Sequence, residues 1–257
     1  MTFIISNSAM TNPGDAPYIP SVARNLYMNF NAKLDAPNNG AVIESLVFRG
    51  SAPILDRTFN KKRGNVLTFP KSIGGSTPYI QFDGTNTLAN SNDNGGTGSY
   101  KTIENNITIA FRLRVNDWSY PSGGTAGFIR GVSNRTASVR QGSTNTEGLI
   151  TIAGGLPVAK TINEQTDLKT GQWGVLIISY SSTESNILLA GSGSTKAFAM
   201  EAGTSLQGFG FGSTNAAAAT AASNFDLSHF AIWDRSLSAD EMILARDIWE
   251  AGGDFQL

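Results

Sequence analysis

Apolar and polar positions alternate along most of this chain with a period of two. The clearest run is ITIAFRLRV (107–115). Ile107, Ile109, Phe111, Leu113 and Val115 point one way, and Thr108, Ala110, Arg112 and Arg114 the other. That is a strand with one core face and one wet face, as in an antiparallel sheet. WGVLIISY (173–180) is apolar on both faces and reads as a central strand. Further strands are expected at 25–32, 41–48, 65–69, 79–84, 126–132, 148–154, 186–191, 196–200, 208–212 and 225–233.

The period changes at the end of the chain. In LSADEMILARDIWEAGG, Ser238 is a helix N-cap and Glu241, three residues on, completes a capping box. Leu237 before the cap can staple onto Met242, and Gly252–Gly253 stops the helix. Strands never alternate with helices, so the fold class is all-β. The expectation is a two-sheet antiparallel jelly-roll sandwich with one short C-terminal helix. It occupies 24–257 as one domain. Residues 1–23, with Pro13, Pro17 and Pro20, read as an extended arm.

Several segments between the strands carry their own signals. TFNKKRGN reads as a solvated hairpin turn and NSNDNGGTGS as loop. The polar stretch between 132 and 148 also reads as loop. NAAAATAASN (215–224) is a small-residue loop suited to packing against something. AGSGSTK lacks the order of a phosphate-binding loop and reads as a hairpin turn. GFGFG is a strand that another group approaches closely.

Composition narrows the chemistry. Net charge is −1 and charged residues make up 15%, against the usual ~25%, so nothing marks a nucleic-acid or anionic-membrane partner. Cysteine is absent, which excludes disulfides and thiolate metal sites. The single histidine, His229, excludes multi-histidine metal sites and reads as structural. No apolar run approaches the ~20 residues of a membrane helix. MTFIISNSAM has no basic n-region and predicts no secretory leader. No cofactor and no bound metal are expected.

The tail FDLSHFAIWDRSLSADEMILARD resembles the C-terminal signature of laminin-G-like, concanavalin A-like jelly rolls. Its landmarks are Trp233, Asp234, Arg235, Ser236, Leu237 and Ser238. YIQFDG, NITIAFRLRV and GQWGVLIISY are similar to the family's other strands, over about residues 24–252. The resemblance implies that Arg235 anchors the corner between strand and helix. Glycosidase relatives carry carboxylates two apart on one strand, because glycoside hydrolysis needs an acid and a base. Residues 107–115 carry Arg112 and Arg114 at such positions, so no enzyme is expected. Calcium-binding relatives carry an Asp where this chain has Ser228, with Asp226 two residues earlier, and one displaced carboxylate is a poor cation site.

Loop aromatics supply the candidate binding site. Trp118 and Tyr120 follow the Arg112/Arg114 strand, and Arg130, Asn134, Arg135 and Arg140 lie beyond them. These rings either stack on the apolar face of a sugar or meet a protein partner. Alternatively, Trp118 folds back to cap the edge of the sandwich.

Domains of this kind, lacking leader and cysteine, resemble bacteriophage virion proteins. The first functional expectation is a non-catalytic structural protein of the virion, a head decoration or tail-associated protein. It would be made in the host cytoplasm and be held to other virion proteins or copies of itself. Pro13, Tyr18, Ile19 and Pro20 of the arm would contribute to that contact. The alternative is a glycan-binding adhesin, or the receptor-binding protein of a phage tail, contacting cell-surface glycan.

Overall fold

The computed structural model describes residues 21–62, 68–90, 103–104, 106–118, 127–131, 138–141, 150–153, 160–162, 168–181, 185–188, 194–198, 205–206, 209–212 and 222–255. The strands are β1 (Leu26–Asn31), β2 (Leu46–Val47), β3 (Thr58–Lys61), β4 (Lys71–Ile73), β5 (Tyr79–Asp83) and β6 (Leu88–Asn90). Next come β7 (Ile103–Glu104), β8 (Ile107–Asp117), β9 (Gly127–Gly131), β10 (Ser138–Gln141), β11 (Ile150–Ala153) and β12 (Lys160–Ile162). The last are β13 (Trp173–Tyr180), β14 (Ser185–Leu188), β15 (Lys196–Phe198), β16 (Ser205–Leu206), β17 (Phe209–Phe211) and β18 (Asn224–Trp233). Two single-turn helices, α1 (Ala32–Asp35) and α2 (Ile54–Arg57), precede the long helix α3 (Ala239–Glu250). No described helix is long and apolar enough to cross a membrane.

The fold is a two-sheet antiparallel β-sandwich, jelly-roll-like, with one C-terminal helix. One eight-stranded sheet has the order β15-β14-β13-β8-β18-β5-β4, with β1 also paired to β18. The other runs β12-β11-β10-β9-β17-β6-β3-β2, and β16 pairs with β7 apart from both. Alternation along β8 and β18 puts one set of side chains between the sheets. There the phenylalanines form a continuous packing. Phe48 stacks on Phe59 at 4.4 Å, Phe82 on Phe225 at 4.7 Å, and Phe211 meets Phe230 edge-on at 4.8 Å.

The outer face of the β8 sheet has its own apolar cluster. Ala110, Val175, Ile177, Ala231 and Trp233 are packed under α3 residues Met242, Ala245 and Trp249 and under Phe255. The polar-face expectation for β8 therefore holds only in part. Thr108 and Ala110 are fully buried, while Arg112 and Arg114 remain half exposed. The second apolar face of β13 is explained by the same helix.

The corner between β18 and α3 is fixed as the resemblance implied. Arg235 donates both Nη groups to Glu241 at 2.8 and 3.0 Å, and also bonds the carbonyls of Ser21 and Arg24. Burial raises the Glu241 pKa, but the Arg235 bonds outweigh it and hold the carboxyl below its ordinary value. The Ser238–Glu241 capping box is complete. The Trp233 indole N–H donates to the Val22 carbonyl at 2.6 Å, and Val22 is fully buried. Residues 21–23, read in sequence as the end of the arm, thus pack into the sandwich.

Other expectations shift locally. Only Leu46–Val47 of 41–48 forms a strand. Thr58–Lys61, read as a hairpin turn, is strand β3, because Phe59 is an inward core residue paired across to β2 and β6. Strand β10 lies inside the expected loop between 132 and 148. Gly212, at the end of GFGFG, has φ +70°, and a Cβ there would sit 2.8 Å from the Asn86 carbonyl oxygen, so the close approach is real. Of the 215–224 loop, only its end is among the described residues.

Candidate functional site

Antiparallel register sets side chains in rows across the outer face of the β8 sheet. Trp173, Arg114, Asp226, Gln81 and Lys71 form one row, across β13, β8, β18, β5 and β4. The neighbouring row holds Val175, Arg112 and His229. The next rows, Ile177–Ala110–Ala231 and Ser179–Thr108–Trp233, belong to the half covered by α3. The site is the part of this face that the helix leaves open.

Two half-buried aromatic rings form its floor. Tyr79 and Trp173 meet edge-on with centroids 5.7 Å apart. The Arg114 guanidinium lies 5.1 Å from the Tyr79 ring and 5.0 Å from Trp173, and Arg112 lies 5.5 Å from Trp173. Arg114 bonds Oδ2 of Asp226 through Nε at 2.8 Å and Nη2 at 2.6 Å. Burial lowers the Arg114 pKa, but the Asp226 bonds and charge outweigh it and shift it upward. The Asp226 carboxyl is raised by burial, against the pull of Arg114 and Asn116. Its Oδ1 is buried with no hydrogen-bond donor in bonding geometry.

A β-bulge shapes the second row. Between Leu227 and His229 the register slips by one residue, so Ser228 and His229 together oppose Arg112. Ser228 Oγ lies 3.1 Å from the Arg112 carbonyl oxygen, to which it donates, and 3.0 Å from His229 Nδ1. That network assigns the Nδ1–H tautomer, with the imidazole donating to Ser228. The His229 ring packs on Trp249 at 5.4 Å. Burial, and then the charges of Arg112 and Arg49, lower its pKa to about 4 against a smaller pull from Asp254, so it is neutral at pH 7. Among the described residues His229 contacts a serine and is hydrogen-bonded by no carboxylate, so none of them supplies the third member of a Ser-His-Asp relay.

The sequence candidates are distributed differently. Trp118 is 4% exposed and meets Phe128 edge-on at 5.9 Å. This corrects the expectation of a solvent-facing ring and selects the capping alternative, because the end of β8 turns the indole into the core. Arg130 lies on β9, but its side chain falls outside the described structure. Arg140 lies on β10 with the same limit. Tyr120, Asn134 and Arg135 lie outside the described residues, as do Pro13, Tyr18, Ile19 and Pro20. Among the described residues, no group of three His, Cys, Asp or Glu side chains could hold a metal ion.

The sequence pointed Arg112 and Arg114 outward but did not pair them with Tyr79 and Trp173. Those rings come from strands on either side of β8 and β18, Trp173 in the Arg114 row and Tyr79 one same-face position along β5 from Gln81, and only the strand order and register bring them together. Trp173 opening an otherwise apolar strand was the available signal.

By sequence, the chain matches no protein-family model and no curated protein. By structure it is similar to the binding domain of botulinum neurotoxin DC in complex with SialylT. The TM-score is 0.57 at 11% identity, over 88% of this chain and 52% of that one. It is similar to Trypanosoma rangeli sialidase in complex with sialic acid, with TM-score 0.58 at 10% identity, over 92% of this chain and 34% of that one. The binding domain of Paraclostridial Mosquitocidal Protein 1 matches with TM-score 0.56 at 11% identity, over 89% and 53%. The chain spans about half the length of the toxin binding domains and about a third of the sialidase. At these identities the likeness is one of fold, and it places the chain among two-sheet β-sandwiches.

Proposed function

We propose that this chain is a non-catalytic, carbohydrate-binding module that engages a saccharide on the open half of the β8 sheet. The observation that carries the reading is the Tyr79–Trp173 floor flanked by Arg112 and Arg114. Half-exposed aromatic rings offer the apolar contact that a sugar's C–H face needs, and the guanidinium groups offer hydrogen-bond donors to its oxygens. Asp226, the described carboxylate beside the rings, is tied to Arg114, which leaves it unsuited to acid–base work. Similar folds in complex with SialylT and with sialic acid support the reading. The expectation of a virion component held by residues 1–23 draws on resemblance, and the arm residues it names, Pro13, Tyr18, Ile19 and Pro20, are outside the described residues.

The test is a glycan array followed by titration of the best binder. Trp173→Ala should weaken binding at least tenfold while the melting temperature falls by only a few degrees. Binding that is indifferent to Trp173→Ala, or a folded protein that retains no glycan, overturns the proposal.

A further inference from the structure

We infer that the saccharide bound on this floor carries a carboxylate, and that Arg112 is the residue that receives it. The inference rests on the carbohydrate-binding reading.

The two arginines of the site are not equivalent. Arg114 is matched by Asp226, to whose Oδ2 it donates two bonds. Arg112 makes no ion pair among the described residues. Its side-chain hydrogen bond is a long one, 3.4 Å from Nη1 to Ser228 Oγ. A guanidinium has five N–H donors in a rigid fork, so most of this one's donor capacity is left over. The group is half-buried, and burial lowers its pKa. Glu250, at the exposed end of α3, opposes that shift only through space. His229 beside it is neutral and supplies no countercharge.

The local charge count is therefore one cation in excess. Arg114 and Asp226 cancel, and Arg112 stands over the Trp173 ring without a bonded countercharge among the described residues. A neutral sugar would leave that charge unanswered. A sugar carboxylate would meet the fork through two parallel hydrogen bonds while its ring lies against the solvent-facing part of Trp173 and Tyr79. A half-buried guanidinium strengthens such a pair relative to one in open water.

The experiment uses the full chain and matched pairs of acidic oligosaccharides and their carboxyl-reduced counterparts, in which each carboxylate has become a primary alcohol. The acidic member should bind at least tenfold more tightly. Arg112→Gln should remove that preference, so that the two members bind alike, while Arg112→Gln stays folded by its melting temperature. Arg112→Lys, which keeps the charge but not the fork, should fall between. Glu250→Gln, far from the core, should tighten the acidic member about twofold, and so tests the charge without altering the sheet. Equal binding of the two members, or a preference that survives Arg112→Gln, overturns the carboxylate assignment and leaves the glycan reading intact. No binding of either member by folded protein overturns both.

Discussion

Arg114 and Asp226 face each other on neighbouring strands, and both guanidinium bonds fall on one carboxylate oxygen, at 2.6 and 2.8 Å. The partners are unequally buried, with side chains 28% and 1% exposed. Removing one partner therefore does not cost the same as removing the other. Arg114→Met leaves a buried carboxylate unpaired and should cost about 2–4 kcal/mol. Asp226→Asn leaves a cation that water and two rings already reach, and should cost nearer ~1 kcal/mol. Urea titrations of both variants check the order, and a larger loss for Asp226→Asn would contradict it.

Two tryptophans near the same sheet should respond in opposite ways. Trp118 is core, so Trp118→Ala should destabilise by about 3–5 kcal/mol. Trp173 is half-buried at the rim of the open face, and its truncation should cost roughly 1 kcal/mol. Thermal melts separate the two, and a steep loss for Trp173→Ala would mark that ring as structural.

His229 gives the fold a defined acid sensitivity. Its folded pKa is about 4, below the ordinary 6.5. A base with a depressed folded pKa contributes stability that is present above the unfolded value and lost as pH falls toward the folded one. The loss should total about 3 kcal/mol between pH 6.5 and 4. Asp226, with its raised pKa, works the other way as pH falls. The difference between wild type and His229→Asn isolates the histidine: the variant's stability should be flatter across that window. Parallel slopes for the two proteins would remove His229 from the account.

The boundary of the N-terminal segment can be placed by two truncations. Removing residues 1–23 takes away buried Val22, the acceptor for the Trp233 indole, and one of Arg235's carbonyls. Removing residues 1–20 keeps all three. The longer deletion should be less stable than the shorter by about 2–4 kcal/mol, read from denaturation midpoints. Equal midpoints would show that residues 21–23 contribute nothing to the packed body.

Local signals carried much of this fold. Five alternating apolar residues specify β8 and its inward face. Ser238 and Glu241 specify where α3 starts, and Trp233 with Arg235 specify the corner it turns from. What was not legible depends on contacts between distant segments. The stretch 58–65 looks like a turn because Lys61, Lys62 and Arg63 dominate it, yet Phe59 draws Thr58–Lys61 into the sheet. Trp118 looks like a surface aromatic because polar residues flank it, and only Phe128 across the sandwich shows where the ring goes. The Tyr79–Trp173 floor was hidden for the same reason. Strand order and register decide which outward residues become neighbours, and neither is written in the alternation itself.

The helix that dries one half of the outer face has a further consequence. α3 runs from the Thr108 row, where the Leu237 amide bonds Thr108 Oγ1 at 2.9 Å, toward the Arg112 row, where Trp249 meets His229. Its 12 residues amount to about 18 Å. One more turn, ~5.4 Å, is close to the ~6.6 Å between successive same-face rows, and would carry its end over Trp173 and Arg114. The width of the opening is thus metered by where the helix stops. That stop is Gly252, at φ +77°, where an added Cβ would meet nothing within 4 Å. Shifting the stop along the chain would be a way for sandwiches of this shape to widen or shutter a binding face while every strand beneath it stays the same.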